Sequence, residues 1–273
     1  PSATTTTSQI IGGPIKCWGL NNRNQATPPV GGTYVQISAG LFATCAVALD
    51  ESIRCWGDDG VVTASEDDTT LRDMSFLQVS VGESHACGVK KDGGISCWGR
   101  NDFGEGDPPT GTFVQVSAGQ GHTCAIRPTG RITCWGKNSD KQSTPPHDHI
   151  DTAFRQISAS MSQHVCAITI DYDVVCWGNN SRNQAPTFRP GPYVQVSTGN
   201  RYSCGIKMDD GSVDCWGGRR FPVDEDEGKR REWEQLALGH DHACAVDVEG
   251  LVSCWFTGAD LGGSDVPLGF VAA

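Results

Sequence analysis

The sequence predicts an all-β fold, a seven-bladed β-propeller closed by pairing of its N- and C-terminal strands. Three observations carry this expectation. Cys-Trp occurs seven times, at Cys17, Cys55, Cys97, Cys134, Cys176, Cys215 and Cys254, with successive tryptophans 37 to 42 residues apart. Self-similarity at that period marks a repeat architecture. Each unit holds short apolar stretches with the period-two alternation of strands. A second cysteine stands ten or eleven residues before six of the seven Cys-Trp pairs.

One unit shows the elements in order. The first strand is Phe113-Val114-Gln115-Val116-Ser117-Ala118-Gly119, echoed by Tyr34 to Gly40, Phe76 to Gly82, Phe154 to Ser160, Tyr193 to Gly199 and Trp233 to Gly239. Gly or Ser ends it. The second strand is Thr123 to Arg127 and the third Arg131 to Trp135, joined by Pro128-Thr129-Gly130. That loop reads as a hairpin turn with glycine at the left-handed position.

The hairpin register pairs the cysteines. A three-residue loop sets Arg127 opposite Arg131 as a hydrogen-bonded pair, so Cys124 faces Cys134 at a non-hydrogen-bonded site. Opposed α-carbons there lie ~4.5 Å apart, within disulfide reach. The same count gives Cys45–Cys55, Cys87–Cys97, Cys166–Cys176 and Cys244–Cys254. For Cys204–Cys215 a four-residue loop, Met208 to Gly211, restores the parity. The short ligand spacing of zinc sites is missing. Each tryptophan follows its cysteine and so points to the other sheet face. The cystine would fill one inter-blade space and the indole the other.

The seventh unit is split. Ser8 to Ile11, Gly12-Gly13 and Pro14 to Trp18 read as its hairpin, and Pro267 to Ala273 match the approach and start of a first strand. Such closure removes free sheet edges. Cys17 is left unpaired, because Thr7 stands where its partner belongs. An odd cysteine in a secreted protein points to a free thiol or an intermolecular bond. Residues 1–7, rich in Ser and Thr, read as a flexible tether, and 8–273 as the single propeller domain. The chain begins at Pro1 without an initiator Met, and reads as a processed or excised piece.

Composition narrows the function. The net charge is −11, so a phosphate backbone would be repelled and no nucleic-acid partner is expected. No segment approaches the roughly 20 apolar residues that span a membrane, so this segment is not expected to insert into one. Thirteen regularly spaced cysteines point to an oxidising, extracellular setting.

The stretch Val116 to Gln142, "VSAGxxHTCAI…GRITCWGxNxxxQ", resembles the repeats of the regulator of chromosome condensation family. The cysteine pair before Trp-Gly resembles the crinkly variant of plant receptor-kinase ectodomains. The resemblance covers residues 8–273 and implies a seven-bladed propeller with a ring closed by both termini. The founder's nuclear role, nucleotide exchange on a small GTPase with chromatin binding, does not suit an acidic, cystine-rich chain.

Several repeated residues are candidates for sites. His85, His122, His164 and His242 stand two residues before the first cysteine of a pair. On that spacing they share the cysteine face and hydrogen-bond toward the neighbouring blade. Ringing a channel as metal ligands is the alternative. Gln36, Gln78, Gln115, Gln156, Gln195 and Gln235 are expected to satisfy backbone groups between blades. Asn21, Asn101, Asn138 and Asn180, with Gln25, Glu105, Gln142 and Gln184, form a polar rim loop suited to turns. Asn179-Asn180-Ser181 is a glycosylation sequon at Asn179. His147-Asp148-His149 could catch a metal weakly.

Binding is expected from the uneven loops, since insertions in repeats map to one face. Residues 58–75 carry Asp58, Asp59, Glu66, Asp67 and Asp68. Residues 219–232 carry Arg219 and Arg220, then Asp224, Glu225, Asp226 and Glu227. No catalytic constellation is found, and neither cofactor nor metal is expected. The reading is a non-catalytic, secreted or cell-surface scaffold for an extracellular protein or glycan, with self-association through Cys17. The alternatives are a structural subunit of an extracellular filament or wall, and a metal-dependent enzyme at the channel mouth.

Overall fold

The computed structural model describes residues 12–57, 60–62, 71, 73–146, 152–218 and 231–256. Each repeat folds as three strands. The first blade is β1 (Tyr34–Ala39), β2 (Ala43–Ala48) and β3 (Ile53–Gly57); the second is β4 (Phe76–Val81), β5 (His85–Lys90) and β6 (Ile95–Gly99). The third is β7 (Gln115–Ala118), β8 (His122–Ile126) and β9 (Ile132–Gly136); the fourth is β10 (Phe154–Ala159), β11 (His164–Thr169) and β12 (Val174–Gly178). The fifth is β13 (Tyr193–Thr198), β14 (Tyr202–Lys207) and β15 (Val213–Gly217); the sixth is β16 (Trp233–Leu238), β17 (His242–Asp247) and β18 (Val252–Phe256). The strands of a blade pair antiparallel in chain order.

Middle strands such as β2 and β11 are buried along their whole length, as befits strands covered on both faces. First strands alternate, and in five blades a register shift interrupts their pairing, between Phe76 and Gln78 in the second. Such a bulge leaves one residue unpaired and re-aims its side chain. Gly130 ends the third blade's hairpin turn at φ +80°, and an added Cβ would come 2.7 Å from that of Ala153.

The hairpins place the cysteines face to face. Arg127 N–H donates to the Arg131 carbonyl at 2.8 Å, and Cys124 lies opposite Cys134. Cystines join Cys45–Cys55, Cys87–Cys97, Cys124–Cys134, Cys166–Cys176, Cys204–Cys215 and Cys244–Cys254, with Cα separations of 4.0 to 4.1 Å. Each inter-blade gap then holds sulfur from one blade and an indole from the next. Trp98 packs with Cys45, Trp135 with Cys87, Trp177 with Cys124, Trp216 with Cys166, and Trp255 with Cys204. Polarizable sulfur against an aromatic ring is a favourable contact.

A side-chain ladder ties the first strands together. Gln36 Oε1 accepts from Val79 N–H at 2.9 Å and its Nε2 donates to the Val79 carbonyl at 3.0 Å. Gln115 does the same with Ile157, and Gln156 with Val196. Two residues on, Ser38, Ser80, Ser117, Ser158 and Ser197 each accept a backbone N–H from the next blade. These N–H groups face away from their own sheet's ladder, so the preceding blade is their partner. Gln115→Ala strips both bonds from the buried Ile157 backbone. Leaving such groups unpaired costs roughly 1–3 kcal/mol each, so thermal unfolding should show a loss of roughly 2–6 kcal/mol with unchanged secondary structure.

The blades run round until the first and sixth share a cavity of about 430 Å³, lined among others by Ile15, Trp18, Ile37, Gln235 and Cys244. Gly13 bridges to Tyr34, and Ile15 and Cys17 pack beneath Tyr34 and Trp56. Ile37, whose counterparts Val79 and Val116 are 1% exposed, is 39% exposed here. The expected count of seven is therefore not what these residues support: they form six three-stranded blades. The residues called on to complete and close a seventh, 1–11 and 257–273, lie outside those described.

Candidate functional site

The antiparallel order gives the array of blades two ends. Hairpins, with the starts of the first strands, occupy one, called the hairpin end. At the other, the loop end, third strands finish beside the starts of second strands: Arg100, Lys137, Asn179 and Gly218 N–H donate to the carbonyls of Ser84, Gly121, Gln163 and Arg201. The loops that follow Cys-Trp-Gly, even and uneven alike, leave from the loop end.

The regular loops are closed by their own repeated residues. The Oδ1 atoms of Asn21, Asn101, Asn138 and Asn180 accept the N–H five residues on. The side chains of Gln25, Glu105, Gln142 and Gln184 accept the N–H two residues back. Their backbone carbonyls receive the next blade's indole: Trp56 Nε1 reaches Gln25 at 2.9 Å, Trp135 reaches Glu105, Trp177 reaches Gln142, and Trp216 reaches Gln184. Each loop is a clamp on the following blade. Trp98, which follows the uneven stretch 58–75, has no partner for its buried Nε1 among the described residues.

His85, His122 and His164 are buried in the gaps, whereas His242 is exposed. His85 Nε2 lies 2.8 Å from Thr123 Oγ1, and His164 Nε2 lies 2.8 Å from Ser203 Oγ. Those hydroxyls donate to the carbonyls of Glu105 and Gln184, so the imidazole must supply the proton from Nε2. Burial holds His85 and His122 down to about 4 and His164 to about 3. Among the described residues no cluster of three His, Cys, Asp or Glu could hold a metal.

His122 breaks the pattern, for its buried Nε2 has no partner among the described residues. The hydroxyl position of the next blade is filled by Val165, opposite Trp177, where its relatives are Thr123 and Ser203. Val165→Thr restores an acceptor for His122 and can itself donate to the Gln142 carbonyl. A net hydrogen bond contributes about 1 kcal/mol, so the melting temperature should rise by roughly 2–4 °C.

The expected binding residues Asp58, Asp59, Glu66, Asp67, Asp68, Arg219, Arg220, Asp224, Glu225, Asp226 and Glu227 lie outside the described residues, as do His147 to His149. Arg231, which closes the second uneven loop, stacks on Trp233 and donates to Ser253. Asn179 is half-buried, and its Nδ2 donates to Asp140 at 2.8 Å in the neighbouring loop. Cys17 is free, and burial raises its thiol pKa. The Ser two residues after five of the ladder Gln, and the second-strand hydroxyls Thr123 and Ser203, escaped the sequence reading. The recurrent Gln-x-Ser spacing was the available signal for the first.

Comparison with known proteins agrees with this anatomy. Residues 76–105, 113–142 and 154–184 match the regulator of chromosome condensation (RCC1) repeat. The chain is similar to the CRINKLY WD40 ectodomain of the Arabidopsis thaliana receptor kinase ACR4, at 25% identity and TM-score 0.68 over 88% of this chain and 84% of that one. It also resembles the ectodomain of the Physcomitrella patens receptor kinase CR4, at 21% identity and TM-score 0.66, over 82% of this chain and 64% of that one. Saccharomyces cerevisiae Prp20p aligns at 17% identity and TM-score 0.68, over 90% of this chain and 77% of that one. The last two likenesses show the fold alone. Among curated proteins none matches significantly. The chain thus carries RCC1-type repeats within residues 76–184 and resembles the crinkly ectodomain, with its own cysteines paired in each blade.

Proposed function

We propose that the chain is a non-catalytic binding scaffold, secreted or displayed at a cell surface, that recognises an extracellular protein or glycan through the uneven loops 58–75 and 219–232. One observation carries the reading. The repeated polar residues, ladder Gln and Ser, loop Asn and Gln and gap His, are largely engaged in holding blades together, so only unrepeated positions can specify a partner. Six cystines and the likeness to a receptor ectodomain support the extracellular setting. The metal-enzyme alternative is disfavoured at His85 and His164, which bond to hydroxyls of the neighbouring blade.

The proposal includes a seventh blade, made from the N-terminal segment and the last residues, in the cavity between the sixth blade and the first. Cys17 already packs beneath Trp56, in the place a cystine holds in the other gaps. Residues 1–7 are read as a tether and Asn179 as the glycan acceptor. A glycan there would have to coexist with the Asp140 bond or replace it. The test is direct: the purified, oxidised protein is screened against panels of extracellular proteins and glycans. Saturable binding to one of them is expected. Binding to none, or turnover of a substrate that depends on a tightly held metal, would overturn the reading.

A further inference from the structure

The ladder that joins the first strands stops at the cavity between the sixth blade and the first, and both sides of it are left over. Gln235, on β16, is exposed and reaches no backbone group among the described residues. Ala237 stands where Ser38, Ser80, Ser117, Ser158 and Ser197 accept an N–H. Across the cavity, the N–H of Ile37 is the counterpart of those of Val79 and Val116. It receives no glutamine among the described residues, whereas theirs do. Gln36 Nε2 bends back to the Ile37 carbonyl at 3.1 Å while it donates to Val79 at 3.0 Å.

The cavity walls include Ile15, Trp18, Ile37, Leu236 and Val246. Gln235 offers an acceptor and donors, which on the ladder's pattern meet one residue's N–H and carbonyl. An extended backbone therefore fits. An aromatic ring fits beside it. The residue that leads a first strand packs on the indole of its own blade: Tyr34 on Trp56, Phe76 on Trp98, Tyr193 on Trp216 and Trp233 on Trp255, with ring centroids 5.2 to 6.3 Å apart. Residues 257–273, outside those described, follow β18 and hold one aromatic residue, Phe270. It stands fourteen residues after Phe256, as Phe113 stands fourteen after Gly99. Aligned on that ring, Ala273 meets Gln235, and Ala272 falls where the ladder glutamine belongs.

We infer that Phe270 to Ala273 occupy this cavity in that single register, with Phe270 on Trp18, as a strap that returns no ladder bond to the first blade. Ala272 has no side-chain acceptor for the Ile37 N–H. Segments with few backbone bonds open at low free energy, so the strap releases before the blades unfold. The inference rests on the seventh blade proposed above, and assigns its register and its release.

Two measurements on the full, oxidised chain separate these layers. With Phe270→p-benzoylphenylalanine, irradiation is expected to crosslink position 270 to the peptide carrying Ile15 and Trp18 in the same molecule. Absence of that crosslink would overturn the seventh blade and the strap together. Hydrogen exchange then tests the strap alone. The Ile37 amide is expected to exchange roughly tenfold faster, or more, than those of Val79 and Val116. Ala272→Gln supplies the missing rung and should slow Ile37 about fivefold, the worth of one net hydrogen bond, with Val116 unchanged. Val271→Gln, whose side chain points to the other face, should leave Ile37 as it was. Equal exchange at the three amides, no response to Ala272→Gln, or the same response to Val271→Gln would sink the strap while the crosslink preserves the seventh blade.

Discussion

Acidification from pH 7 to 4 is expected to unfold the protein at 25 °C, with the melting temperature falling steadily below pH 6.5. His85, His122 and His164 are buried, and burial penalises their charged forms, holding them at about 4, 4 and 3. An unfolded histidine titrates near 6.5. Between these values the unfolded chain binds protons that the folded one refuses, so stability falls as pH falls. The contribution is complete above about pH 6.5 and lost as pH drops through the folded values. The difference between these values and 6.5 corresponds to roughly 3–5 kcal/mol per histidine. Three together rival the roughly 5–15 kcal/mol that holds a typical domain. His122→Leu, which removes the one imidazole without a partner for Nε2, should flatten the pH dependence by about a third. A melting temperature unchanged between pH 7 and 4.5 would show that the buried histidines do not set acid stability.

Complete reduction of the six cystines should leave no folded protein at 37 °C. Chain entropy gives ~2.7 kcal/mol for a loop of about ten residues. A hairpin that already pairs gains less, yet six such losses approach the whole stability of a domain. Each broken bond also loosens the gap where sulfur meets the next indole. The native protein should resist reductant, since Cys45, Cys87, Cys124, Cys166 and Cys204 are 0% exposed. Cys244–Cys254 should open first, because Cys244 lines the cavity between the first and sixth blades. Quenching with an alkylating agent and mapping the peptides by mass gives the order. Simultaneous loss of all six would mean that reduction waits on global unfolding.

The contrast between local and long-range signals explains what could be read in advance. Strands and cystines were legible because their geometry closes within one hairpin: the parity of the turn between Arg127 and Arg131 alone places Cys124 opposite Cys134. The inward role of the ladder glutamines was legible from their recurrence. Their specific partners were not, because Gln115 reaches Ile157 across 42 residues and the order of blades must be known first. The pairing of His85 with Thr123 was hidden for the same reason. The unpartnered His122 follows from a single residue, Val165, in the neighbouring repeat. The blade count failed to carry over because the seventh unit depends on residues at both ends of the chain, where no local pairing fixes the register.

The division of labour between repeated and unrepeated residues is tested most directly by exchanging both uneven loops, 58–75 and 219–232, for the short 138–146 type. The affinity of that variant for the partner found by the binding screen is measured beside Gln115→Ala. The exchanged protein is expected to retain its strand content and cystines and to lose binding, whereas Gln115→Ala should melt earlier and bind as the parent does. Binding that survives both exchanges would contradict the account and move the site to the residues of the regular blades.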